Sequence, residues 1–166
     1  LSSSVFGSSF DPVKNTQVLL FYSAGGGAGK TTLALGVSYC LTQNLKKVLY
    51  INAERINSYQ YLLNSVIPIS SNVYSSFYHS SPDIYARIKP VLRNEHFDYL
   101  PPFGASLSSL GIDFSIYKNI VESVKKTNEY DYIVVDTDTV FDNDKASMIS
   151  VADKVFIICE QNRKSL

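Results

Sequence analysis

The sequence specifies an α/β domain, a three-layer, doubly wound and mostly parallel sheet. Five short apolar runs recur along the 166 residues. Longer stretches of helical periodicity separate them, and alternation of this kind leads to right-handed crossovers and parallel strand pairing. A glycine-rich turn joins the first run directly to the first helical stretch. The chain is 45% hydrophobic, and at this size a single domain buries roughly 68–70% of its unfolded surface.

The first strand is expected over residues 17–23, QVLLFYS. Its apolar residues do not alternate with polar ones, so both faces should be covered. Residues 31–44 read as a helix with Leu33, Val37, Cys40 and Leu41 on its apolar face. Lys46 and Lys47 lie just past it, where cations favour the negative end of a helix. Residues 48–53, VLYINA, form a second buried strand, and 59–66 a short helix stopped by Pro68. Residues 70–81 are polar and read as irregular. Ser81 and Pro82 then suit the cap and first position of a helix, which must bend or end near Pro90.

A third strand is expected over 97–100, closed by Pro101 and Pro102, and a Gly/Ser loop over 103–111. Asp113 is placed to cap a helix whose stripe is Ile116, Tyr117, Ile120, Val121 and Val124. Residues 131–136, DYIVVD, make the fourth strand, 143–151 a short helix, and 154–159 the fifth strand.

Fifteen basic and fifteen acidic residues cancel, which argues against a broad cationic surface for nucleic acid. Cys40 and Cys159 have no partner at metal or redox spacing, so they are expected as small core residues in a reducing cytoplasm. No apolar run approaches the roughly 18 residues of a membrane span. The chain opens on Leu1 and a Ser-rich stretch. Residues 1–14 are therefore expected to be a lead-in or linker, and 15–166 one domain taken from a longer protein and cut near its C-terminal end.

The decisive segment runs from Ser23 to Thr32, SAGGGAGKTT. Glycines let backbone N–H groups converge on phosphate oxygens, and the start of the following helix adds a positive dipole end. Lys30 would reach the β- and γ-phosphates, Thr31 would offer its hydroxyl to Mg²⁺, and Thr32 would bond the α-phosphate. Ala24 stands where the usual G-x-x-x-x-G-K-[ST] pattern has its first Gly. A purely structural turn is the competing reading, and the flanking strand and helix favour phosphate.

Gly26-Gly27-Ala28-Gly29-Lys30-Thr31-Thr32 resembles the loop of the MinD/ParA family of P-loop ATPases, whose deviant Walker A motif reads roughly K-G-G-x-G-K-T-T. Gly25 occupies the place of that family's signature lysine. The second strand ends in Asn52 and Glu54, where the family has D-x-D, and the Walker B-like strand ends in Asp136. The resemblance spans about residues 15–160 and implies the MinD/ParA-like P-loop NTPase fold. It also implies ATP and Mg²⁺ as cofactors, with the nucleotide held by Gly25, Gly26, Gly27, Ala28, Gly29, Lys30, Thr31 and Thr32. Thr31 and Asp136 become the metal residues, and Lys30, Glu54 and Asp136 the catalytic ones.

Gly25 together with the N-x-E strand is most similar to the TadZ/CpaE branch, which positions a Tad-type pilus secretion machine at the cell pole. That implies a homodimer, Tad pilus-assembly proteins as partners, and no nucleic acid or membrane insertion. It implies a cytoplasmic location, at the pole. A cationic finger is worth about 10³–10⁵ in rate, so Gly25 predicts weak or absent hydrolysis. Glu54 reads either as the group that orients water or as a structural carboxylate. Arg55 is a candidate substitute cation, or else a solvated strand-end residue. Asp138 caps a turn or faces the γ-phosphate. Asp142, Asp144 and Lys145 read as a solvated helix start, and His79 and His96 as ordinary histidines. The alternative functions are an ordinary ParA/MinD-type partitioning or positioning ATPase and a bacterial tyrosine kinase-like domain.

Overall fold

The computed structural model describes residues 15–55, 63, 66–78 and 81–159. The lead-in 1–14, His79 and nearly all of the helix expected over 59–66 lie outside the described residues.

The centre of the sheet is β1 (Gln17–Tyr22), β2 (Val48–Ala53) and β5 (Tyr132–Thr137), with β5 between the other two and parallel to both. Every residue of β2 is buried, as are Val18–Phe21 of β1, so the unalternating runs are covered on both faces as expected. The register sets Asp136 opposite both Phe21 and Asn52. With β3 (Arg93–Asn94), β4 (Asp98–Tyr99) and β6 (Lys154–Ile157), six strands are present among the described residues, in the order β3-β4-β2-β5-β1-β6, rather than the five read from the sequence. The addition is β3 (Arg93–Asn94), antiparallel to β4 (Asp98–Tyr99). A two-residue strand has no alternation to detect. The Asn94 side chain donates to Asp98 (2.7 Å) and pins this edge.

Helix α1 (Lys30–Gln43) covers one face of the sheet, while α2 (Ile84–Ile88), α3 (Ile116–Thr127) and α4 (Asn143–Ile149) lie on the other. The α3 stripe is buried as expected. Helix α1 departs from its expected phase. Ala34, Leu35 and Ser38 face the sheet, Val37 and Leu41 are half-buried, and Leu33 and Cys40 are exposed. This helix carries apolar residues round most of its circumference, so periodicity could not choose a face. The small Ala34 and Ser38 permit close approach, and Ser38 satisfies its own hydroxyl on the Ala34 carbonyl (2.9 Å). Cys159 is exposed as well, so neither cysteine is the core residue expected.

Two helix starts are displaced by two residues. Asp113 Oδ1 accepts from the Ser115 amide (2.8 Å) and the helix begins at Ile116. The Asp83 amide donates to Ser81 Oγ (3.3 Å), and the helix begins at Ile84. The stretch read as irregular contains a 3₁₀ helix, Ser71–Phe77, that buries Phe77. Strand β6 (Lys154–Ile157) forms the other edge, with Val155, Phe156 and Ile157 exposed. No described helix is long and apolar enough to cross a membrane.

Glu129 ties three elements together at the end of the sheet away from the glycine loop. It accepts from Lys47 (3.0 Å), Lys89 (2.8 Å) and the Tyr85 hydroxyl (2.7 Å). Its bond from Lys89, aided by Tyr85 and Lys47, pulls its carboxyl from 4.5 down to about 2. A depressed carboxylate contributes stability above its unfolded value and loses it as the pH falls through the folded one. Glu129→Gln should therefore lose about 1 kcal/mol at pH 7, and the difference should shrink between pH 4.5 and 2. Urea unfolding across that range reads it.

Candidate functional site

At the C-terminal ends of β1, β2 and β5 the chain turns from Tyr22 through residues 23–29 into α1. Gly27 and Gly29 adopt φ of 81° and 79°, which side-chain-bearing residues rarely do. Ser23 Oγ donates to the Gly25 carbonyl (2.7 Å) and holds the first bend. Gly29 is the N-cap of α1. No side chain caps it, and no acidic residue occupies the first turn. A bare helix start with its dipole uncompensated is an anion site. The cleft in front of it measures about 420 Å³ and is lined by Ser23, Gly25–Thr32, Glu54 and Thr139, within the range of small-ligand pockets.

Beneath the loop lies a charge cluster. Lys30 is 6% exposed, and its ammonium lies 2.5 Å from Asp136 Oδ1 and 2.7 Å from Glu54 Oε1. Asp136 is completely buried. Burial pushes its carboxyl above the usual range, against the pull of Lys30 and of the Thr31 hydroxyl. Its second oxygen accepts from the Tyr50 hydroxyl (3.0 Å) and the Asn52 amide (3.2 Å). Strand alternation puts Tyr50 and Asn52 on the α1 face, and register sets Asn52 opposite Asp136. Two carboxylates thus converge on one cation beside a threonine hydroxyl. Hard oxygen donors of this number suit Mg²⁺, which takes few direct protein ligands and keeps several waters.

Arg55 turns away from the glycine loop. It donates to Asp138 and Asp142 (2.5 Å each) and lies 4.8 Å over the Phe114 ring. Its charge is engaged there, in a neighbouring cleft of about 500 Å³. It is an exposed strand-end residue, as one of the two expectations has it, and it is paired with carboxylates rather than aimed at the loop. Asp138 is the cap of a turn, accepting from the Val140 amide (3.2 Å) as well as from Arg55 and Lys145. The expected solvated start of α4 needs correction at Lys145, which is 1% exposed and donates to the Asp138 carbonyl and carboxylate (2.9 Å each). Asp142 does cap α4, accepting from the Lys145 amide. His96 is exposed against Tyr39. Sequence reasoning does not single out Tyr50, and it takes Lys145 only for a solvated helix-start residue. For Tyr50 a signal existed: a hydroxyl two residues before Asn52 in an otherwise apolar buried strand.

A family model described as AAA domain (AAA_31) matches residues 16–166. The chain belongs to this AAA-domain family. Its fold is that of the ParA- and MinD-type P-loop ATPases. It superposes on the ParA family ATPase from Chlorobium tepidum TLS with a TM-score of 0.64 and 18% identity, over 87% of this chain and 60% of that one. The MinC:MinD cell division protein complex of Aquifex aeolicus gives 0.60 and 26% identity, over 86% and 55%. Cobyrinic acid a,c-diamide synthase from Mycobacterium smegmatis, solved with an ATP analog and magnesium, gives 0.66 and 16%, over 90% and 64%. This AAA-domain chain therefore spans roughly three-fifths of the length of these proteins. No curated protein sequence matches it.

The loop geometry separates its glycines by experiment. A Cβ on Gly25 or Gly29 meets nothing within 4 Å, so backbone conformation alone distinguishes them. Gly29→Ala is expected to lower the melting temperature by about 2–4 °C, the effect of roughly 1 kcal/mol in a domain of this size. Gly25→Ala, at ordinary φ, should stay within about 0.5 kcal/mol. Thermal melts of the two variants check this.

Proposed function

We propose that this AAA-domain chain binds ATP with Mg²⁺ at residues 25–32 and acts as a nucleotide-dependent localisation and assembly factor with weak or absent hydrolysis. The observation that carries the reading is the glycine turn at the bare start of α1, with Lys30 the one cation lining its cleft among the described residues. On this reading Lys30 leaves its two carboxylates for the β- and γ-phosphates, and the backbone N–H groups of Gly26–Gly29 cradle the remaining oxygens. Thr31 and Asp136 would hold Mg²⁺, which when bound offsets phosphate charge. Glu54 would orient a water. ATP as the nucleotide also draws support from the cobyrinic acid a,c-diamide synthase complex.

Weak turnover follows from Gly25. Typical MinD/ParA members carry a lysine there that reaches the phosphates of the partner subunit, and Arg55, the nearest alternative, is occupied by Asp138 and Asp142. The Tad pilus role, with its polar location and pilus-assembly partners, rests on the resemblance of Gly25 and the N-x-E strand to the TadZ/CpaE branch. An ordinary ParA/MinD-type positioning ATPase is the reading to beat.

Calorimetry of ATP binding, with sizing and turnover, tests the proposal. Wild type should bind ATP more tightly with Mg²⁺ and self-associate, while Lys30→Ala should lose at least about tenfold in affinity. Gly25→Lys, for which there is open space, should raise turnover of the ATP-bound protein at least about tenfold. Wild-type turnover matching ordinary family members, or Lys30→Ala binding as wild type does, would sink it.

A further inference from the structure

We infer that Tyr50 is a positioning residue for Asp136, the carboxylate proposed to hold the metal, keeping it so that a single oxygen is turned toward Lys30 under the glycine loop. The inference rests on the nucleotide reading above and deepens it. Asp136 divides its two oxygens between two environments. Oδ1 meets Lys30 under the glycine loop. Oδ2 points into the sheet, where the Tyr50 hydroxyl and the Asn52 amide both donate to it. Tyr50 is wholly buried, its ring packs 5.9 Å from Phe97, and its hydroxyl reaches Asp136 Oδ2 at 3.0 Å.

Asn52 is less well placed to do this alone. Its amide is also 3.5 Å from the Tyr50 hydroxyl, and its own oxygen accepts from the Glu54 backbone (3.4 Å). A carboxylate attached through a rotatable bond could turn either oxygen outward. A hydrogen bond from a buried donor selects one orientation before any ligand arrives, so less ordering is lost on binding. Asn52 adds a donor where the resembled family has a second acid. With Tyr50 it makes an inward pair that accounts for a neutral residue at this position.

The test is ATP affinity of the full chain, measured in excess chelator and across a Mg²⁺ series. Tyr50→Phe removes only the hydroxyl and should need about tenfold more Mg²⁺ to reach half of the Mg²⁺-dependent tightening. Its affinity in chelator should fall far less. Tyr130→Phe is the matched control: it removes a buried hydroxyl that bonds Asp98 (2.8 Å) at the other end of the sheet, and its Mg²⁺ dependence should follow wild type. Should Tyr50→Phe not fold, Asn52→Ser carries the comparison, with a rise in required Mg²⁺ supporting the inference and no rise overturning it. Equal Mg²⁺ dependence in wild type and Tyr50→Phe overturns it. So does an effect matched by Tyr130→Phe, or one as large in chelator. Failure of wild type to bind ATP at all would overturn the nucleotide reading, and the inference with it.

Discussion

A carboxylate removed entirely from water must be surrounded by donors, and Asp136 is that carboxylate. An ion of this kind costs several kcal/mol to desolvate, and only close partners with good geometry offset the cost. Here the three partners come from two separate parts of the chain: Lys30 from the start of α1, and Tyr50 and Asn52 from β2. The central register β2-β5-β1 is what delivers them to one point. Losing one member of such a cluster leaves a buried charge uncompensated, typically at about 3–5 kcal/mol. The same cluster therefore fixes the fold at the loop and places the loop's cation.

The state of Lys30 has a functional side. Its ammonium is held by two anions rather than projecting into the cleft. A polyphosphate has to offer more than those carboxylates do, and a divalent cation at Asp136 would remove one competitor. On the proposed reading, nucleotide and Mg²⁺ would then be coupled through a single side chain.

A second charge cluster lies next to the first. Arg55 and Lys145 grip the two oxygens of Asp138 from opposite sides, and Arg55 reaches on to Asp142, the cap of α4. The segment between β5 and α4 is fixed by these contacts, and Thr139 within it lines the cleft in front of the glycine loop. The paired Arg–carboxylate geometry, with the guanidinium over Phe114, suits a brace. It explains why a cation one residue from Glu54 does not serve the loop.

Much of this was written in local pattern. The runs of β1, β2 and β5 declare doubly buried strands because parallel sheets need both faces covered, and the glycine turn declares itself because few other residues adopt its φ values. The α3 stripe was legible for the same kind of reason, since one face of that helix is polar. Tertiary packing chose what local pattern left open. The phase of α1 follows from which small residues let it approach the sheet, a question its nearly uniform apolar surface could not answer. The strand pair β3–β4 is too short to carry a period. The roles of Tyr50, Arg55 and Lys145 depend on partners 83–87 or 7 residues away in sequence, and long-range partners are set by register and packing. Sequence names the chemistry a residue can perform, and the folded neighbourhood decides which of those chemistries is already taken.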